Sequence, residues 1–281
     1  MCGAVGLTLT YNVDCMSDFD PATEEFPVIR NRDGLKLFVK IITPTDRPVR
    51  GNAYLVHGYG DVHDGAHMRV ATWVCVREGL RVIVFDATHG WAGRSEGSQD
   101  EATFYYHAED LEDVMEWSRT QGWFERQFWL FGYSLGGLLA GTYAAAHAKQ
   151  VRGLMLLAPV ASGSLLKRRM PWPLRLWWRF RGRLTGIGRW SLPPWRFMDS
   201  GWNYDLQRVS GRLTMPVLVI VGSRDLFTRP KPLRRFVAGV RNVDKTLVVL
   251  ESIGHSFDKP ATMGRLEMVL RPWLTKHLEK S

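Results

Sequence analysis

Residues 127–148 read QFWLFGYSLGGLLAGTYAAAHA, and Gly132-Tyr133-Ser134-Leu135-Gly136 within them decides how the chain is read. Residues 128–131 are apolar and aromatic-rich, as a strand buried on both faces would be. Residues 138–148 are rich in alanine and leucine without proline, as a buried helix would be. A serine on the turn between them, with a glycine two residues to either side, points to a very tight bend. Side chains at the glycine positions would strike the strand and the helix, and the serine projects outward. A membrane span competes with this reading, because no charge falls between Arg126 and Lys149. Four glycines and several polar groups interrupt that run, so buried core is the reading adopted.

A serine hydroxyl is a poor nucleophile at neutral pH; it needs a base within hydrogen-bond reach and a third group to orient that base. Downstream, residues 217–221 and 246–250 read as strands. The first leads into Gly222-Ser223-Arg224-Asp225 and the second into Gly254-His255-Ser256. Asp225 and His255 thus lie just beyond strand ends, where an open parallel sheet places its site. The order Ser134, Asp225, His255 is the one expected for a serine on a strand-to-helix turn. His255 would take the Ser134 proton and later give it to the leaving group, while Asp225 would hold the imidazole tautomer and stabilise the imidazolium. Asp258 is the reserve acid, though too close to His255 in sequence for the usual arrangement. Upstream, residues 52–56 read as a strand running into His57-Gly58-Tyr59-Gly60, a glycine-bearing loop that lets main chain approach a substrate oxygen. The backbone N–H groups of Tyr59 and Leu135 are the expected oxyanion donors.

Residues 26–29 and 35–42 read as strands joined by a turn at Asn31-Arg32-Asp33-Gly34. Residues 67–78 suit a helix closed by Gly79, and 81–85 a strand ending at Asp86. In the glycine-rich loop 86–97, Asp86 and His89 are read as structural, since an aspartate closing a strand bonds the loop that follows. Ser98 and Glu101 resemble a capping box for a helix running to residue 121. Its Glu109, Asp110, Glu112, Asp113 and Glu116 read as a solvated acidic face. A strand at 153–158, a helix at 230–240 and a last helix at 260–277 follow. In that last helix Met263, Leu266, Val269, Leu270, Trp273 and Leu274 recur at helical spacing and read as core. The alternation points to an α/β fold with a mainly parallel, doubly wound sheet.

The length of 281 residues suits one large α/β domain with an inserted cap. The opening MCGAVGLTLTYNVDCM has no cationic start followed by a long apolar core, so no secretory signal is expected. Cys2, Cys15 and Cys75 make no metal spacing and are odd in number, which favours free thiols in a reducing, cytoplasmic setting. The net charge of +9 is concentrated: residues 162–198 carry nine bases and no acid, and removing them brings the 37 bases down to match the 28 acids.

Together, His57-Gly58-Tyr59-Gly60, Gly132-Tyr133-Ser134-Leu135-Gly136-Gly137, Gly222-Ser223-Arg224-Asp225 and Gly254-His255-Ser256 resemble the α/β-hydrolase superfamily. The loop 86–97 and the first glycine motif are similar to its monoacylglycerol lipase and lysophospholipase branch, which includes serine aminopeptidase-type sequences. The resemblance covers residues 26–277 apart from the basic segment. It implies a serine esterase working through an acyl-enzyme, two backbone oxyanion donors, no cofactor, and a cap inserted after the sixth core strand. The core would then be 26–161 with 215–279, the cap, expected to be helical, 162–214, and residues 1–25 an N-terminal extension. The expected substrate is a carboxylic ester with an apolar acyl chain, monoacylglycerol or lysophospholipid-like. Thioester hydrolysis or acyl transfer is the alternative among enzymes, and a non-catalytic ligand-binding homologue the alternative outside them.

The basic stretch also holds Trp172, Trp177, Trp178, Trp190 and Trp195, and three readings of it stay open. Its aromatics could line an acyl pocket while its arginines face water or pair with the acidic helix. It could rest peripherally on an anionic membrane through 162–198. It could hold nucleic acid or an acidic ligand such as an acyl-CoA, although no nucleic-acid motif accompanies it and nucleic acid is not the expected partner.

Overall fold

The computed structural model describes residues 22–168, 172–181 and 193–279. Cys2, Cys15, Arg169, Arg183, Arg189 and Trp190 lie outside the described residues, as do the side chains of Trp177, Trp178 and Arg181. The chain opens with three strands, β1 (Ala22–Glu25), β2 (Val28–Arg30) and β3 (Lys36–Pro44). Strands β2 and β3 form the hairpin expected from the sequence. Its turn is held by the Asn31 side chain, which accepts from the N–H groups of Asp33 and Leu35 at 3.1 and 2.9 Å. Residues 22–25, which form β1, pair antiparallel with β3 and so belong to the sheet.

Next come β4 (Gly51–Val56), helix α1 (Ala66–Arg77), β5 (Leu80–Phe85), helix α2 (Phe104–Ser118), β6 (Phe128–Tyr133), helix α3 (Leu135–Ala146) and β7 (Val151–Leu157). The sheet order is β1-β3-β5-β4-β6-β7-β8-β9, with β8 (Val217–Gly222) and β9 (Lys245–Leu250) at the far side. From β5 to β9 every pairing is parallel. Every residue of β4, β6 and β8 is buried, which explains why these strands read as unbroken apolar runs rather than alternating ones.

Alternation survives in which face each side chain serves. Tyr54, Leu130, Leu156 and Val219 belong to one hydrophobic cluster, on the side of α2 and α3. Their chain neighbours Leu55, Phe131, Met155 and Ile220 belong to the other, with α1 and α9 (Pro260–Leu278). The α9 stripe foreseen as core is buried, with Val269 only partly so. Trp129 meets Trp273 of that helix edge-on at 6.2 Å, and truncating such a buried indole costs about 3–5 kcal/mol.

Two expectations about α2 fail. Ser98 caps only a 3-10 turn, Gln99–Glu101. The helix itself starts at Phe104, where the Thr103 side chain accepts from the Tyr106 N–H at 3.1 Å, and it ends at Ser118, short of residue 121. Its acidic face is solvated only in part. Asp110 is 1% exposed and accepts bonds from the Thr88 N–H and hydroxyl and from Asn31. Arg32, from the hairpin turn, reaches Glu109, Glu112 and Asp113. Arg32 and Arg119, which pairs with Glu116, and none of the described arginines of the insert, are ion-paired with the acidic helix.

The insert leaves after β7, and its described residues include α4 (Gly163–Arg168), α5 (Trp172–Arg181) and α6 (Trp195–Ser200). Its two ends are fastened together. Ser162 bridges Asp205, Gly163 N–H donates to the Tyr204 carbonyl at 3.0 Å, and Leu206 N–H donates to the Ala161 carbonyl at 2.9 Å. Beyond this clamp, α7 (Leu206–Val209) and the turn after it lie in the core, with Leu206 and Leu213 fully buried. Helix α8 (Pro230–Gly239) covers the sheet between β8 and β9.

Candidate active site

Ser134 occupies the junction of β6 and α3 with φ +52°, a conformation disfavoured for any residue with a side chain. The flanking glycines are required sterically. A Cβ on Gly132 would fall inside the backbone of Gly136 and Gly137, and one on Gly136 inside the carbonyls of Val56 and His57. The bend is fixed from outside as well: Ser134 N–H donates to the Leu157 carbonyl and Val160 N–H to the Ser134 carbonyl, both at 2.9 Å.

The structure brings Ser134, His255 and Asp225 together. Ser134 Oγ lies 2.9 Å from His255 Nε2, and His255 Nδ1 lies 2.8 Å from Asp225 Oδ2. An ionised carboxylate only accepts, so Nδ1 carries the proton and Nε2 is left as the acceptor for the serine hydroxyl. Asp225 is nearly inaccessible. Burial alone would raise its pKa, but the bonds from His255 and Thr228 outweigh it and hold the carboxyl below the usual aspartate value. The Phe227 and Thr228 N–H groups fix its other oxygen at 2.8 and 2.7 Å. The imidazole is flanked by the rings of Tyr133 and Phe227, at 5.4 and 5.3 Å between centroids. Asp258, the reserve acid, is exposed, while Asp225 makes the bond to the imidazole.

Leu135 begins α3, so its N–H belongs to the helix's first turn, which has no intrahelical acceptor. Tyr59 follows Gly58, where a Cβ would stand 3.1 Å from that of Ser134; the loop after β4 thus lies directly against the serine. His57 fastens this loop in a way the sequence reading missed. Its Nε2 accepts from the Ala87 N–H at 2.9 Å, which puts the proton on Nδ1, and Nδ1 donates to the Gly58 carbonyl at 2.7 Å. In a trans peptide the next N–H points opposite its carbonyl, so holding Gly58 O aims the Tyr59 N–H away from His57. The part-buried Asp61–His67 pair, at 2.7 Å, is a second omission; His67 packs on the Tyr133 ring at 3.7 Å. Only the histidine of His57-Gly58 could have signalled either feature.

Asp86 and His89 are loop supports, as read. Asp86 accepts from the N–H groups of His63 and Arg94 at 2.7 and 2.8 Å, and His89 bonds the Ser98 carbonyl at 2.9 Å. Among the described residues no three His, Cys, Asp or Glu side chains converge as metal donors would.

Comparison with known proteins gives one family match: the model for serine aminopeptidase, S33, fits residues 47–192. Human monoglyceride lipase is 28% identical over 138 residues, 49% of this chain and 44% of that protein. A probable 1-acylglycerol-3-phosphate O-acyltransferase from Oryza sativa subsp. japonica is 26% identical over 153 residues, 53% and 34% of the two chains. The chain thus spans less than half the length of the curated relatives it matches. In structure it is similar to alpha/beta hydrolase domain-containing protein 10 from mouse, at a TM-score of 0.74 and 18% identity, over 90% of this chain and 99% of that one. This likeness shows the fold.

Proposed function

The chain belongs to the serine aminopeptidase, S33, family of α/β-hydrolases, and from that premise we propose that it is a serine esterase acting on carboxylic esters of apolar acyl chains. The observation that carries this is the hydrogen-bonded series Ser134–His255–Asp225 at the ends of three parallel strands, with the serine on a strained bend. His255 Nε2 removes the hydroxyl proton as Ser134 Oγ attacks the ester carbonyl. The N–H groups of Tyr59 and Leu135 receive the developing oxyanion. The imidazolium, stabilised by Asp225, then protonates the departing alcohol, and water releases the acyl group by the same route reversed. Monoacylglycerol and lysophospholipid-like esters are the first candidates, since one curated relative is called a monoglyceride lipase. Acyl transfer is the second reading, favoured by the name of the rice relative.

A fluorophosphonate probe with a chain-length series of p-nitrophenyl and monoacylglycerol esters tests this. Wild type is expected to label at Ser134 and turn over esters, while Ser134→Ala does neither. Absence of labelling at neutral pH would leave a ligand-binding homologue. Diversion of acyl groups to added alcohols would establish transfer.

The domain reading proposed here is a core of 22–161 and 206–279 carrying the insert between. Peripheral contact with anionic membrane through the insert is part of the same proposal. Trp172 and Leu176 on α5 are exposed together with Arg179, and Trp202, with Arg168 over its ring, is half exposed. No helix among the described residues is long and apolar enough to cross a membrane.

A further inference from the structure

A shallow recess, open to solvent, is walled in part by residues that contact the candidate catalytic groups. Val160, Leu165, Leu166 and Phe227 wall it, and Thr228 and Arg229 stand at its edge. Two of its wall residues meet those groups: Val160 N–H bonds the Ser134 backbone carbonyl, and the Phe227 ring lies tilted beside the His255 imidazole.

Arg229 is exposed and sits in no ion pair or hydrogen bond among the described residues. The surrounding chain offers it no carboxylate. Residues 159–232 carry 14 bases and three acids. Asp199 is bound to Lys167, Asp205 to the N–H groups of Gln207 and Arg208, and Asp225 to His255. An apolar recess edged by one uncommitted guanidinium, in a stretch with this surplus of positive charge, is complementary to an amphiphile bearing an anion. A neutral acylglycerol would use the wall and leave the arginine idle.

We infer that the recess is a subsite for esters carrying a phosphate or carboxylate beside a short apolar stretch, with Arg229 binding the anion. This rests on the esterase reading and narrows its substrate class. The anion could sit on the alcohol or on the acyl side, and two matched pairs separate them. They are 1-hexanoylglycerol-3-phosphate against 1-hexanoylglycerol, and mono-p-nitrophenyl adipate against p-nitrophenyl hexanoate. In at least one pair the anionic ester is expected to have a kcat/KM about tenfold higher or more, as a charge-assisted bond supplies. That ratio should collapse in Arg229→Gln and persist in Arg208→Gln, which removes a nearby exposed charge outside the recess. Equal rates within both pairs, or equal erosion by the two variants, overturns the inference.

A second measurement needs no turnover. Hexyl phosphate should raise the melting temperature of Ser134→Ala more than hexanol does, and the Arg229→Gln change in that background should abolish the difference. Ester hydrolysis with no charge preference and no such shift defeats the subsite and leaves the esterase. A shift without any ester hydrolysis defeats the esterase and leaves the subsite.

Discussion

Asp225 and Asp110 are both buried carboxyls, yet their neighbours drive them in opposite directions. Asp225 accepts from an imidazole N–H and two backbone N–H groups, so it is ionised and its folded pKa is depressed. Its stabilising contribution is present above the unfolded value and is lost as pH falls through the folded one. Asp225→Asn keeps the shape but can donate to Nδ1, which moves the imidazole proton to Nε2 and removes the acceptor for Ser134. We expect kcat to fall by about 10³–10⁴-fold with KM nearly unchanged; a loss below tenfold would remove Asp225 from the mechanism. At Asp110, burial is the largest effect and outweighs the bonds from Thr88 and Asn31, pushing the pKa up to about 7. Here the folded state holds a proton that the unfolded chain has already released. Its contribution is therefore complete below the unfolded value near 4 and is lost as pH rises to about 7. Melting curves of wild type and Asp110→Asn across that window should show wild type losing ground steadily to the variant. Parallel curves would mean that Asp110 does not titrate there.

At the scale of elements, β8 and the loop after β9 meet edge to edge. A Cβ on Gly222 would enter the carbonyls of Ile253 and Gly254, immediately before His255. Gly222→Ala must push that loop outward, and a displacement of this kind costs about 100-fold in rate. The expected result is a folded protein by circular dichroism with kcat and fluorophosphonate labelling reduced together; undiminished labelling would show that the loop absorbs the methyl group elsewhere. The sequence made the strands, the serine bend and the His255 loop legible because each is a local pattern: an apolar run, a glycine pair, a polar residue after a strand. It misjudged α2 because Ser98 and Glu101 satisfy the capping pattern while the chain turns once more before Thr103. Asp110 was misread for a different reason. Its partners Asn31 and Thr88 are 79 and 22 residues away, and only the fold brings them onto one carboxyl. His57 was underread likewise, since its role depends on the Ala87 N–H supplied by another strand's loop.

Over the whole molecule, positive charge and exposed aromatic surface coincide on the insert. If that face meets anionic lipid, sedimentation with phosphatidylserine vesicles should weaken as salt rises. The double change Arg175→Gln and Arg179→Gln should lower partitioning by about tenfold or more, at roughly 1 kcal/mol per charge near the surface. Equal binding to neutral vesicles would count against it. The clamp at Ala161–Gly163 and Tyr204–Leu206 bears on what this architecture can become. The chain departs from the sheet and returns to it at one point, so whatever lies between behaves as an exchangeable module. Doubling the length of such a closed excursion adds only about 0.6 kcal/mol of closure entropy. Insertions and replacements can therefore be accommodated there while the strands that carry Ser134, Asp225 and His255 keep their register.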